Sequence, residues 1–182
     1  MTAITSLLTA GAAYETVQPG VKNRLILLNF EEVASYTVSS GIVTAVTLDA
    51  TKTGFAYEGY NNSVNAYSDI VKNEYGLYYK HSVKFRVFKR SDAIKQQIMK
   101  MAVTKIVALV ENHDRNNDMT FELYGLDSGL VMQEGPMNMQ DGGGVWDILL
   151  ESDDTALEQL RPYTFYDTDY ATTLAAAEAL LT

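Results

Sequence analysis

From His81 to Lys89 the chain reads HSVKFRVFK, with Val83, Phe85 and Val87 alternating against Ser82, Lys84 and Arg86. A period of two sends successive side chains to opposite faces of an extended chain, which makes this a half-buried strand with a basic outer face. Other short apolar segments follow the same logic. Residues 24–30 (RLILLNF) are almost continuously apolar, as in a strand buried on both faces. Residues 36–38 and 42–48 flank Ser39-Ser40-Gly41, a hairpin turn; in the second strand Ile42, Thr44, Val46 and Leu48 share one face, and Val43, Ala45 and Thr47 the other. Residues 103–110 form a buried strand. In 121–125, Phe121 and Leu123 point in, and Glu122 and Tyr124 out. A strand at 130–132 continues the sheet. After a glycine turn at Gly142–Gly144, residues 145–150 place Trp146, Ile148 and Leu150 in the core and Asp147 outside.

Only residues 92–101 carry a strong helical period. Ser91 stands at the N-cap, Asp92 in the first turn, and Ile94, Ile98 and Met101 form the apolar stripe, with Lys95 and Lys100 facing water. Many short strands around one amphipathic helix predict a mainly β fold: a β-sandwich or barrel with one packed α-helix and extended N- and C-terminal arms. The expected organisation is an arm over residues 1–20, a β domain over 21–165, and a tail over 166–182 with a short helix at 173–181. Residues 1–20 lack the basic and apolar regions of a secretory signal, and no apolar run approaches the ~20 residues of a membrane-crossing helix.

Residues 55–79 stand apart, with six tyrosines, among them Tyr60, Tyr67 and Tyr75, and little sustained alternation. Two readings fit: a long projecting loop, whose tyrosines offer contact area to another surface, or ordinary strands of the domain.

The residues that carry chemistry are scarce. The 182-residue chain has no cysteine, which removes disulfides, thiolate metal sites and a cysteine nucleophile, and only two histidines, His81 and His113. Asp114-x-Asn116-x-Asp118 opens like a calcium loop, but the sixth position is Met119 where a glycine is needed, and the twelfth is Gly125 where a glutamate is needed. Gly142–Gly144 is not followed by the lysine of a phosphate loop, and no nucleophile elbow occurs. Asp153-Asp154 and Asp167/Asp169 have no spacing that suggests paired catalytic acids. Asn61-Asn62-Ser63 matches a glycosylation acceptor, which has little meaning without a secretory signal. The expectation is a non-enzymatic protein without cofactor or metal.

The formal net charge of −9 hides a segregation. Residues 72–105 hold nine basic and two acidic side chains, whereas residues 106–182 hold two basic and fifteen acidic ones. The fold interleaves these segments, or the basic one is a nucleic-acid patch, or a basic face of one subunit meets an acidic face of the next. On the third reading Lys84, Arg86, Lys89 and Arg90, with Tyr60, Tyr67 and Tyr75, are candidate inter-subunit contacts. Asp147, Glu151, Asp153 and Asp154 are then the complementary face.

In order along the chain, HSVKFRVFKRSDAIKQQIMKM, VTKIVALVENH, MTFELYGLDSGLVM and GGGVWDILLES resemble bacteriophage tail-tube and related virion ring proteins, in forms met in phages and prophages of Bacteroidetes-type bacteria. The resemblance covers about residues 22–165. It implies a β-sandwich subunit with a flanking helix, assembling as a homo-oligomer of stacked, hexameric rings that conduct DNA without binding it tightly. Terminal arms and a long loop would bridge neighbouring rings, and the acidic residues would line the lumen. Other tail and neck proteins would be partners, and the protein would reside in the virion tail after assembly in the host cytoplasm. A connector or tail-completion ring, or a nucleic-acid-binding module using residues 72–105, are the alternatives.

Overall fold

The computed structural model describes residues 20–60, 62–114, 117–138 and 145–182. The expected N-terminal arm, apart from Gly20, and the Gly142–Gly144 turn lie outside these. In chain order the elements are β1 (Val21–Asn29), β2 (Val33–Ser39), β3 (Ile42–Leu48), β4 (Phe55–Glu58), β5 (Val64–Asn73), β6 (Gly76–Val87), α1 (Asp92–Met101), β7 (Ile106–Asn112), β8 (Phe121–Tyr124), β9 (Leu130–Glu134), β10 (Met137–Asn138), β11 (Val145–Ser152), β12 (Tyr163–Phe165) and α2 (Tyr170–Ala179). The fold is mainly β. No described helix is long and apolar enough to cross a membrane.

The strands form one hydrogen-bonded sheet that divides into two leaves. The larger runs β4-β1-β7-β8-β12-β3-β2, and the smaller runs from β9 and β10 through β11 and β6 to β5. Among the described residues the leaves are joined through one residue pair, Ile106 with Leu130. Leu25, Leu27, Ala108, Val110 and Tyr124 of the larger leaf pack against Val64, Val83, Phe85, Ile148 and Leu150 of the smaller. Burying each large apolar side chain here contributes about 1.5–3 kcal/mol. Ile94, Ile98 and Met101 of α1 join this core, as their spacing predicts.

The opposite face of the larger leaf is also covered. Ile26, Leu28, Val107, Leu109, Phe121, Leu123 and Phe165 pack against Ala177, Leu180 and Leu174 from the C-terminal helix. Alternate residues of β1 therefore serve two cores, which is why residues 25–28 are apolar throughout. The tail is not an extended arm. Its helix starts three residues earlier than expected, with Asp169 accepting a hydrogen bond from the Thr172 amide at 2.7 Å, and it forms a layer of the domain.

Four local expectations are corrected. Residues 55–79 are not a loop: β4, β5 and the start of β6 occupy most of them. On β3 the register shifts between Thr37–Ala45 and Val38–Val43, and this bulge brings Val43 into the same core as Val46 and Leu48. Tyr124, expected outside, is buried between the leaves because β8 is covered on both faces. The strand expected at 103–110 starts at Ile106. Val103 is 87% exposed where the chain leaves α1, its amide donating to the Lys100 carbonyl at 3.1 Å.

Gly54 shows how closely α2 is fitted. Its amide donates to the Leu180 carbonyl at 2.6 Å, and a Cβ there would lie 2.5 Å from Leu28 Cδ2 and 3.2 Å from that carbonyl oxygen. Gly54→Ala is expected to cost about 1–3 kcal/mol in denaturant unfolding, through overpacking. An unchanged midpoint would mean that α2 shifts freely on the sheet.

Candidate assembly surface

The β5–β6 hairpin is the longest pair of strands in the sheet, and β5 lies at its edge. Its strands pair in unbroken antiparallel register from Val64–Phe85 to Asn73–Gly76. The Asn73 side chain closes the turn by accepting from the amides of Tyr75 (2.9 Å) and Gly76 (3.0 Å), which presents Tyr75 at the tip, 81% exposed. Ile70, on the same face as the core residue Val64, is 63% exposed because the hairpin there has passed the end of the two-leaf core.

The hydrogen-bond phase of the hairpin identifies its free groups. The Arg86 amide donates to the Ser63 carbonyl at 3.1 Å. Ser63 is thus a hydrogen-bonded partner of Arg86, and odd-numbered residues of β5 face β6. The backbone groups of Ala66, Ser68, Ile70 and Lys72 point away from β6, toward an edge that carries no further strand among the described residues. A ten-residue edge strand without proline or bulge is a template for another strand.

The outer face of the smaller leaf brings together residues from both charge segments. Arg86 Nε donates to Asp147 at 2.6 Å across the β6–β11 ladder. Lys80 contacts Glu151 at 3.1 Å and Asp154 at 2.9 Å, which raise its pKa, Asp154 foremost. Glu151 also accepts from the hydroxyls of Ser82 (2.9 Å) and Tyr67 (3.4 Å). Interleaving therefore describes this face: Arg86, Asp147, Glu151 and Asp154 are paired within the chain because β11 lies beside β6. Such exposed pairs contribute about 0–1 kcal/mol each. Asp153 is occupied locally, accepting from the Thr155 amide (2.8 Å) and hydroxyl (2.7 Å), which hold its carboxyl below the usual range.

Lys84 is exposed between the paired charges. Lys89 and Arg90 are exposed after the end of β6, and Tyr60 lies in the β4–β5 connection with its amide donating to Ser63 Oγ at 3.0 Å. These residues do not converge into one site with Tyr75.

Asp114, Asp118, Glu122 and Arg161 line an open cleft of about 520 Å³ with Asn65 and Tyr124. Among the described residues no group of three or more histidine or carboxylate side chains is arranged to hold a metal. Asn116 of the calcium-loop-like motif lies outside them. Residues 62–63 keep the β4–β5 connection close to β1, where the Ser63 amide donates to Asn23 Oδ1 at 3.1 Å.

The free edge itself was missed at the sequence level. The short run of Val64, Ala66 and Ile70 against Asn65, Tyr67 and Asp69 is a weak sign of a strand, and it carries no sign that one edge of that strand is open. Compared with known proteins, the chain matches no family model, no curated protein and no solved structure.

Proposed function

We propose that this chain is a bacteriophage virion structural protein, the subunit of stacked, six-membered rings that form the tail tube and conduct DNA. The observation that carries the reading is the open β5 edge on a hairpin that leaves exposed Ile70 and Tyr75 beyond the core. Monomeric proteins shorten, bulge or cover such edges; a subunit leaves one open where a neighbouring copy closes it. The net charge of −9 suits a conduit through which DNA phosphate must slide without adhering. A connector or tail-completion ring would use the same edge. The nucleic-acid-binding alternative loses support where Arg86 and Lys80 of the basic stretch are paired with Asp147, Glu151 and Asp154.

Purified protein at high concentration is expected to sediment as rings or longer assemblies and to show rings or tubes by negative-stain electron microscopy. It is also expected to leave DNA unretarded in a gel at about 50 mM salt, where electrostatic binding is strong. A strictly monomeric species at high concentration would defeat the assembly reading, and salt-sensitive DNA retardation would favour the nucleic-acid alternative.

A further inference from the structure

Two buried titratable residues meet where the hairpin leaves the body. Glu158 lies in the connection between β11 and β12 and is fully buried. Its backbone takes the place of a continued β11 beside β6: the Tyr79 amide donates to the Glu158 carbonyl at 2.8 Å, and the Glu158 amide to the Tyr79 carbonyl at 3.0 Å. Its carboxyl group reaches the opposite way, into the β8–β9 turn, where Oε2 accepts from the Asp127 amide at 3.1 Å and Oε1 from the Ser128 amide at 3.2 Å. One residue thus ties the hairpin to the turn through four hydrogen bonds.

His81, also fully buried, ties the same three pieces two residues farther along β6. Its Nδ1 accepts from the Gly125 amide of the turn at 3.1 Å, so Nε2 carries the proton and donates to the Leu160 carbonyl of the connection at 3.1 Å. Beyond Tyr79, no described element other than the hairpin's own strands pairs with it.

We propose that Glu158 and His81 form a double latch that holds the base of the β5–β6 hairpin against the body, so that releasing Glu158 frees the hairpin beyond Tyr79 without opening the core. The inference does not depend on what the hairpin meets. The groups facing Glu158 are the Asp127 carboxylate, itself bonded by the hydroxyls of Tyr163 and Tyr36, and the Lys105 ammonium, which donates to the Ser128 carbonyl at 2.9 Å. His81 faces the ring of Tyr124, whose hydroxyl is bonded to Glu122, and Ser152, whose hydroxyl accepts from the His81 amide at 3.0 Å.

The test is amide exchange read residue by residue in the full chain, with Glu158→Ala against the parent protein. The amides of Tyr79, Asp127 and Ser128 are expected to exchange about tenfold faster, as for the loss of a buried hydrogen-bonding group. The ladder amides of Val71 and Tyr78 should follow, while Leu109 in the core keeps its protection. Glu158→Gln, which retains one carbonyl acceptor, should fall between the two, and supplies the same comparison if the alanine variant does not fold. Unchanged exchange at Val71 and Tyr78 in the variant would overturn the proposal. So would an equal acceleration at Leu109, since that is loss of the whole fold rather than of a latch.

Discussion

Proline at position 68 or 70 is expected to abolish assembly while leaving the chain folded. The expectation follows from the phase of the β5–β6 ladder. Ser68 and Ile70 direct their amides to the open edge, so replacing either removes a donor that no described strand of the chain uses and that the proposed contact with a neighbouring copy requires. Tyr67 and Asp69 direct theirs into β6, opposite Ser82 and Lys80. Proline there breaks the hairpin itself, at about 3 kcal/mol or more. Sedimentation and thermal unfolding of Ser68→Pro, Ile70→Pro, Tyr67→Pro and Asp69→Pro therefore form a set with alternating outcomes. The even positions should give folded monomers, and the odd positions a destabilised chain. Full-size assemblies from the even-position variants would show that the β5 edge is not the contact.

The core was largely legible before the structure because its residues obey simple periods. Val83 and Phe85 alternate with Lys84 and Arg86, and Ile94, Ile98 and Met101 recur along one helix face, so burial follows from spacing alone. Residues 55–79 were harder to read for a physical reason. β5 is exposed on much of both faces, so no burial requirement forces a clean alternation of apolar and polar side chains. Tyr124 was misplaced because an alternating strand announces one core, whereas β8 lies between two. The charge segregation misled in another way: sequence distance between the basic and acidic segments carries no information about ladder order. Once β11 lies beside β6, Arg86 and Asp147 stand opposite each other. Glu158 had no sequence signal at all. A glutamate among Thr155, Gln159 and Arg161 looks like solvated surface, and only the turn amides of Asp127 and Ser128 make its burial tolerable.

His81→Gln and Glu158→Gln are expected to tilt the stability of the chain with pH in opposite directions. Burial opposes charge on both residues: it lowers the His81 pKa to about 4 and raises that of Glu158 to about 7. The neutral histidine contributes stability that is present above its unfolded pKa of 6.5 and is lost as pH falls toward about 4. The protonated glutamic acid contributes stability that is present below its unfolded pKa of 4.5 and is lost as pH rises toward about 7. Between these limits the two slopes oppose each other, and in the parent protein they nearly cancel. Removing Glu158's titration exposes the histidine slope, a loss on the order of 3 kcal/mol relative to the parent as pH falls from neutral to about 4. Removing His81's exposes the other slope, a relative loss of similar size as pH rises from about 4 to about 7. Denaturant unfolding across this range, expressed as variant minus parent, isolates each residue from the other carboxylates. Parallel curves for the parent and both variants would mean that neither side chain is held uncharged in the folded chain. Opposed slopes would identify the base of the hairpin as a place where a glutamic acid that keeps its proton and a histidine that refuses one offset each other, keeping the hairpin's hold steady as pH changes.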